Sequence, residues 1–249
     1  MNLVSSQTNS LNGEVVCPGD KSISQRILIL GSLLNCNTSI KGFLDAYDPN
    51  STLNALNLIG SSIVKTRTRI ILNKRTQPFK MPDKDLDLGN SGTGMRLMLG
   101  LLSGLGIRAT LTGDSSLSKR PMLRVIKPLM DMGTSIKSNN GKAPIRIIES
   151  NISNDYKYDM PIASAQVKSS LLLASLSSNK SITITEPKIT RNHTERMIEY
   201  FGGDIQYDDK TRKGYIKLGK KNLIPKESYE VVGDFSSASF MIVAALIAK

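Results

Sequence analysis

A segment that recurs near residues 20, 90, 164 and 234 constrains the fold more than any other feature of this sequence. At each of these places, small and polar residues stand directly before a run of apolar residues. That order is typical of the N-terminus of a buried α-helix, where serine, threonine, aspartate and glycine satisfy the free N–H groups. The period of roughly 70 residues is longer than that of a solenoid repeat. It favours three tandem units, although chance similarity among helix caps is the alternative.

Each unit is predicted to contain a helix, a strand, a second helix and a hairpin. In the first unit, the opening helix covers residues 22–34 after a short strand at residues 14–17. In the second unit, a helix is expected over residues 118–132, and a hairpin turns through Asn139-Asn140-Gly141. The predicted class is α/β, with three such units around a pseudo-threefold axis. That arrangement would aim several helix N-termini at one place and concentrate positive potential there.

The first of these helix N-termini carries three groups that suit an anion. Lys21 and Ser22 lie at the mouth of the helix, and Arg26 follows Ser22 by four residues, on the same face. The free N–H groups of a helix N-terminus attract anions. A phosphate or a carboxylate would therefore meet an ammonium, a hydroxyl and a guanidinium group here. An ordinary capped helix with solvated charges is the alternative for this stretch.

The charge balance points to anionic partners. The 249 residues include 33 Lys and Arg against 21 Asp and Glu, a formal net charge of +12. Aromatic residues make up 5% of the chain and tryptophan is absent, which favours a basic cleft over a surface that stacks nucleic-acid bases. Two cysteines exclude a disulfide framework and a zinc cluster of cysteines. The N-terminus lacks a basic segment followed by an apolar core, so a cytoplasmic location is expected.

Several of these segments together resemble the 5-enolpyruvylshikimate-3-phosphate (EPSP) synthase family, over residues 11–249. The segments that carry the resemblance are Gly19-Asp20-Lys21-Ser22-Ile23-Ser24-Gln25-Arg26, Leu88-Gly89-Asn90-Ser91-Gly92-Thr93-Gly94-Met95-Arg96, Ser118-Lys119-Arg120-Pro121-Met122 and Gly233-Asp234-Phe235-Ser236-Ser237-Ala238. Two further segments, Ser164-Ala165-Gln166-Val167-Lys168-Ser169 and Thr190-Arg191-Asn192-His193-Thr194-Glu195, resemble the bacterial class II branch. Each segment is weak alone, but the combination is specific.

The resemblance implies an activity and a fold. The activity is transfer of the enolpyruvyl group of phosphoenolpyruvate to the 5-hydroxyl of shikimate 3-phosphate with release of phosphate, without metal or cofactor. The fold is an enolpyruvyl transferase-like pair of domains with three units each. Residues 20–233 would be one complete domain, and residues 1–19 and 234–249 would be pieces of the other, split domain. The expected partners are the two small anionic substrates, with no nucleic acid or membrane, and the full-length protein is expected to be a monomer.

The resemblance also assigns site residues. Those implied for shikimate 3-phosphate are Lys21, Ser22, Arg26, Ser164, Gln166 and Arg191, and those for phosphoenolpyruvate are Lys21, Asn90, Gly92, Arg120 and Gln166. Lys21 is also the catalytic residue implied within this chain. Ala165 replaces a serine that many members carry. Because the family's acid and base carboxylates lie further along the chain, residues 1–249 are expected to bind substrates without turnover.

Two other functions stay open. The enolpyruvyl transferases of cell-wall precursor synthesis share the fold, but they carry Gly-Ala-Lys-Asn near the start and usually a reactive loop cysteine. This chain has Gly19-Asp20-Lys21-Ser22 and no cysteine after Cys36. A basic module that binds nucleic acid is the alternative from a different class, and its affinity would fall steeply with salt.

Overall fold

The computed structural model describes residue 4 and residues 11–208, 214–220 and 222–247. Within them the chain forms seven α-helices and three four-stranded β-sheets, which confirms the predicted mixed α/β class. No helix in these ranges is long and apolar enough to cross a membrane.

The helices begin close to the predicted caps. They are α1 (Lys21–Leu34), α2 (Tyr47–Leu58), α3 (Gly92–Leu105), α4 (Leu123–Asp131), α5 (Ala165–Ser177), α6 (His193–Tyr200) and α7 (Phe235–Ile247). The single helix expected over residues 118–132 is wrong, because a 3-10 turn (Leu117–Lys119) and α4 replace it. Arg120 between them is extended, with a ψ angle of 138°. The ring of Pro121 disfavours the helical conformation in the residue before it, so the chain breaks there.

The twelve strands fall into three sheets. The strands are β1 (Thr38–Lys41), β2 (Ile63–Lys65), β3 (Ile70–Leu72), β4 (Leu86–Asp87), β5 (Ala109–Thr112), β6 (Thr134–Asn139), β7 (Lys142–Ser150), β8 (Tyr156–Asp159), β9 (Ile182–Glu186), β10 (Ile205–Asp208), β11 (Gly214–Leu218) and β12 (Ser228–Glu230). The strand orders are β12-β1-β3-β2, β4-β5-β7-β6 and β8-β9-β11-β10. The strand expected at residues 14–17 is absent, because no neighbouring strand pairs with residues 11–18.

The three sheets share one topology. In each of them, a short edge strand runs parallel to the next strand, which pairs with the antiparallel hairpin. In the second and third sheets the edge strand precedes its unit in sequence, whereas β12 closes the first sheet from the other end of the chain. The common topology supports three related units. Their arrangement around a pseudo-threefold axis stays a prediction.

The two Gly-Asp segments of the sequence pair where the chain enters and leaves this assembly. Gly19 forms an isolated antiparallel bridge with Gly233. The N–H of Asp20 donates to the Val232 carbonyl at 2.8 Å, and the N–H of Asp234 donates to the Pro18 carbonyl at 2.8 Å. A methyl group at Gly19 would lie 1.8 Å from the Gly42 carbonyl oxygen, so only glycine fits the crossing.

Helices α3 and α5 run parallel in unusually close contact. Methyl groups at Gly100 and Gly104 would lie 2.0 Å and 2.2 Å from the carbonyl oxygens of Ser170 and Ala174. The Ser170 hydroxyl donates to the carbonyl of Arg96 across this contact, at 2.7 Å. Because residues at the start of α3 face residues at the start of α5, the two N-termini lie at the same end of the pair.

Candidate functional site

The N-termini of α1, α3 and α5 lie close together, and each is capped by the side chain of the residue that precedes the helix. Asp20, Ser91 and Ser164 accept hydrogen bonds from the N–H groups of their first turns, at 2.7 Å, 2.9 Å and 3.4 Å. The remaining N–H groups and the helix dipoles make this end of the helices electropositive.

Gln25 joins α1 to α3. Its side chain is fully buried, and Nε2 donates to Ser91 Oγ, to Thr52 Oγ1 at 3.0 Å and to the Asp48 carbonyl at 3.3 Å. Lys21 stands at the rim of this network, with Nζ 3.2 Å from Asp48 Oδ2 and about half of its side chain exposed. The Lys21 ammonium is therefore held beside the helix N-termini and stays accessible to solvent.

Gln166 joins α5 to α3 and accepts hydrogen bonds from two guanidinium groups. Its Oε1 accepts from Arg96 Nη1 at 2.8 Å and from Arg124 Nη2 at 3.4 Å. Its Nε2 donates to Thr93 Oγ1 at 2.8 Å. The orientation of the amide is thus set from both sides, with the oxygen toward the cations.

Asn90, Gly92 and Arg120 lie together at the start of α3. Arg120 Nη2 donates to Asn90 Oδ1, and Asn90 Nδ2 donates to Asp114 Oδ2 at 2.7 Å. A methyl group at Gly92 would lie 3.0 Å from Arg96 Nη1 and 3.1 Å from Arg120 Nη1. The absence of a side chain at Gly92 leaves the room that these two guanidinium groups occupy.

Arg26 is 5% exposed and bonded on all sides. Its Nε donates to Thr194 Oγ1 at 3.0 Å, its Nη2 to Ser169 Oγ at 3.2 Å and its Nη1 to the Ser22 carbonyl at 3.1 Å. These bonds tie α1 to α5 and α6 behind the site, which a motif on α1 alone does not reveal.

Burial and crowding lower the pKa values of two arginines. Desolvation lowers the pKa of Arg26 to about 10, and Arg191 adds to the effect while Glu195 opposes it. Desolvation also lowers the pKa of Arg96 to about 10, with further contributions from Arg124 and Arg120. A bound dianion would relieve this repulsion and accept bidentate bonds from the guanidinium groups.

Arg191 and His193 lie on the side of α6. Arg191 is exposed in the loop before α6, close enough to disfavour protonation of both Arg26 and His193. Arg191 thus joins the cluster through electrostatics, whereas no hydrogen bond within the described residues links it to Asn90 or Arg120.

The sequence analysis did not identify three polar side chains of the network: Gln25, Thr93 and Arg124. Gln25 follows Lys21 by one helical turn and stands two residues before the apolar run of residues 27–30, and that position was the available signal. Arg124 becomes a neighbour of Gln166 only through the packing of α4 on α5, so no local pattern marks it.

The fold and this geometry define an α/β protein that presents helix N-termini, an ammonium and several guanidinium groups to small anions. A family model described as EPSP synthase (3-phosphoshikimate 1-carboxyvinyltransferase) matches residues 5–249. The chain belongs to this family. The match does not favour the cell-wall transferases or a nucleic-acid-binding module.

Known proteins resemble the chain along nearly its whole length. A 3-phosphoshikimate 1-carboxyvinyltransferase of Petrotoga mobilis is 47% identical over 246 residues, which cover 97% of this chain and 56% of that protein. One of Streptococcus uberis is 43% identical over 95% of this chain and 55% of its own length. An EPSP synthase structure from Acinetobacter baumannii has a TM-score of 0.85 at 39% identity, over 96% of this chain and 54% of that one. The chain therefore spans about half the length of these relatives.

Proposed function

We propose that this chain supplies a substrate-binding part of a 3-phosphoshikimate 1-carboxyvinyltransferase, with groups for both shikimate 3-phosphate and phosphoenolpyruvate. That enzyme transfers the enolpyruvyl group of phosphoenolpyruvate to the 5-hydroxyl of shikimate 3-phosphate and releases phosphate. The observation that carries the proposal is the network that joins three helix N-termini through Gln25 and Gln166. Around it stand Lys21, Arg96 and Arg120, which suit two substrates that both carry phosphate.

The proposed roles divide along the site. Asn90, Gly92 and Arg120 bind phosphoenolpyruvate, because the Arg120 guanidinium and the open backbone at Gly92 adjoin one another. Lys21 and Gln166 lie between the two substrates and contact both. Holding two mutually repelling anions in one electropositive site would supply positioning and electrostatic stabilisation.

Shikimate 3-phosphate is assigned to the remaining groups. Ser22, Ser164 and Arg191 contact it, and Arg26 adds its charge from behind, through its bonds to Thr194 and Ser169. Lys21 also serves as a catalytic group beside both substrates. The principal acid and base carboxylates are expected outside this chain, so the proposed property of residues 1–249 is binding without turnover.

The proposed domain boundaries lie near residues 20 and 233. Residues 20–233 form the complete three-unit domain, and residues 1–19 and 234–249 belong to the other domain. Two facts support this: β12 completes the first sheet, and α7 has no buried residue. We further propose a monomer in the cytoplasm for the full-length protein, with which the free thiols of Cys17 and Cys36 agree.

Calorimetric titration of shikimate 3-phosphate, followed by phosphoenolpyruvate, tests the proposed function. Lys21→Met is expected to weaken shikimate 3-phosphate binding at least tenfold, since a charge-assisted contact contributes roughly 1.5–3 kcal/mol. Arg120→Ala is expected to spare that binding and weaken the binding of phosphoenolpyruvate. Both variants should unfold at nearly the wild-type temperature, because neither side chain is buried in the core.

Arg67→Ala is the control, since it removes one exposed positive charge from the turn between β2 and β3. It should leave both affinities unchanged. Equal losses in Arg67→Ala and Lys21→Met would indicate nonspecific attraction to a basic surface. Failure to bind shikimate 3-phosphate, together with salt-sensitive binding to DNA, would favour the nucleic-acid module instead.

A further inference from the structure

One buried group of charges lies outside the residues discussed as ligands. Lys168 on α5, Glu186 at the end of β9 and Glu195 on α6 are each 1% exposed. Lys168 Nζ donates to Glu186 Oε1 at 2.9 Å. It also forms an ion pair with Glu195 Oε1 at 2.7 Å. One ammonium group is thus paired with two carboxylates that are buried away from water.

Glu186 also accepts two hydrogen bonds from Thr190, which Glu195 does not. Its Oε1 accepts the N–H of Thr190 at 3.1 Å, and its Oε2 accepts the Thr190 hydroxyl at 2.7 Å. Thr190 precedes Arg191, and both belong to the loop of residues 187–192 between β9 and α6. Through Thr190, the buried carboxylate holds this loop at the residue next to Arg191.

Stability alone is a poor reason for this arrangement. Desolvation of a buried ion pair offsets most of its attraction, and apolar residues of the same volume often stabilise a fold as well or better. Burial raises the pKa of Glu195, although the charge of Lys168 acts in the opposite direction. Gly214, where a methyl group would lie 2.4 Å from Glu186 Cγ, keeps the room that the Glu186 side chain needs.

The position of Lys168 connects this group to the candidate site. Its N–H donates to the carbonyl of Ser164, the cap of α5, at 3.1 Å, and Gln166 lies two residues before it. The same turn of α5 thus carries two side chains with different partners. Gln166 lies in the candidate site, and Lys168 pairs with Glu186, which holds the loop of residues 187–192.

We infer that Lys168 and Glu186 are positioning residues that fix the loop of residues 187–192 and thereby aim the Arg191 guanidinium at a phosphate. The inference rests on the proposed function in one respect, the assignment of Arg191 to shikimate 3-phosphate. A loop fixed in advance binds more tightly, because less conformational entropy is lost when the ligand arrives.

Titration of shikimate 3-phosphate into six proteins tests the inference. They are wild type, the single variants Glu186→Gln, Thr190→Val and Arg191→Ala, and the two double variants that combine Arg191→Ala with Glu186→Gln or with Thr190→Val. Thr190→Val removes only the hydroxyl donor, keeps the volume and leaves the ion pair intact. If Glu186→Gln fails to fold, Thr190→Val alone therefore tests whether the bond between Glu186 and Thr190 affects binding. Each of the first two single variants is expected to weaken binding about five- to tenfold, the effect of losing one hydrogen bond to a charged group.

The double variants separate positioning from general damage. If Glu186 and Thr190 act through Arg191, a second substitution should weaken binding less than about twofold once Arg191 is absent. Full additivity, or unchanged affinity in Thr190→Val, would overturn the inference.

Amide hydrogen exchange supplies a readout that needs no ligand. Glu186→Gln should speed exchange at the Thr190 N–H, because a neutral amide oxygen accepts more weakly than a carboxylate oxygen. Glu195→Gln, which removes the other carboxylate paired with Lys168, should leave that N–H protected. Equal protection in the two variants would overturn the role of Glu186. If wild type does not bind shikimate 3-phosphate, the proposed function fails, and this comparison still decides whether Glu186 holds the loop.

Discussion

At the scale of single residues, the cations of the candidate site are held by the protein before any ligand arrives. Arg26 uses all three of its nitrogens in internal hydrogen bonds, and Arg96 and Arg120 are bonded to Gln166 and Asn90. Side chains fixed in this way lose little conformational freedom when a ligand binds.

His193 gives a pH-dependent prediction at this scale. The residue is half-buried in a groove of about 350 Å³ that it shares with Ile23 and Tyr200. Burial lowers its pKa below the usual 6.5, and Arg26 adds to this more than Asp20 offsets it. Because the unfolded chain then binds the proton more readily, the folded state loses stability as pH falls through 6.5 toward the lowered value.

Urea denaturation of wild type and His193→Gln, at pH values from about 5 to about 7.5, measures this contribution. The free energy of unfolding of wild type, relative to the variant, should decline toward the acidic end and stay constant above the usual histidine pKa. A difference that does not change with pH would contradict the lowered pKa.

The residues that the sequence could identify are those in contiguous segments. Lys21, Asn90 and Gln166 stand in segments of small residues that are typical of a helix N-terminus, and the structure brings those N-termini together. Arg120 stands in a segment whose predicted helix begins later, at Leu123. Gln25 is different, because a glutamine in an apolar helix gains meaning only when Ser91 of another unit faces it. The partner lies 66 positions away, and no local pattern encodes that distance.

At the scale of elements, helices were predicted better than edge strands. The expected opening helix at residues 22–34 agrees with α1 within one residue, since Asp20 caps it as the sequence indicated. β4, β8 and β12 were missed, and they occupy the same edge position in the three sheets. They have two to four residues of mixed polarity, and their hydrogen bonds depend on a parallel neighbour that lies far away in sequence.

The contact between α3 and α5 gives an element-scale prediction. Gly100→Ala would place a methyl group 2.0 Å from the Ser170 carbonyl, so the two backbones must separate. Overpacking of this kind costs about 1–3 kcal/mol, more than the roughly 1 kcal/mol that alanine gains over glycine in a helix. Separation would also displace Gln166, so shikimate 3-phosphate affinity should fall together with the free energy of unfolding.

Gly31→Ala on α1 is the matched control. Its methyl group would meet the Leu72 side-chain tip at 2.4 Å, and a flexible side chain can move where a backbone cannot. We expect its free energy of unfolding to change by less than about 1 kcal/mol. If Gly31→Ala and Gly100→Ala cost the same, backbone contact between α3 and α5 is not what limits the second position.

At the scale of the whole molecule, the chain closes on itself. Its first sheet needs β12 from the C-terminal part, and the Gly19–Gly233 bridge ties the two ends of the assembly together. Beyond this bridge, α7 exposes a series of large apolar side chains: Phe235, Phe240, Met241, Ile242, Val243, Leu246 and Ile247. The last part of the chain that this fold requires therefore lies near residue 233, which is the proposed boundary.

Two truncations test that boundary by urea denaturation. A chain that ends at residue 234 loses α7 but keeps β12 and the Asp234 N–H bond to Pro18, so its free energy of unfolding should stay within about 0.5 kcal/mol of wild type. A chain that ends at residue 227 also loses β12 and the buried Val231.

The shorter chain should lose at least about 3 kcal/mol, because β1 becomes an unpaired edge and the aromatic packing of Tyr229 on Phe201 disappears. The longer truncated chain should also aggregate less than wild type, since the exposed apolar helix is gone. Equal destabilisation of the two chains would place α7 inside the folded unit and move the boundary beyond residue 234. An unaffected shorter chain would mean that β12 does not complete the first sheet, and the likeness of the three sheets would then rest on two of them.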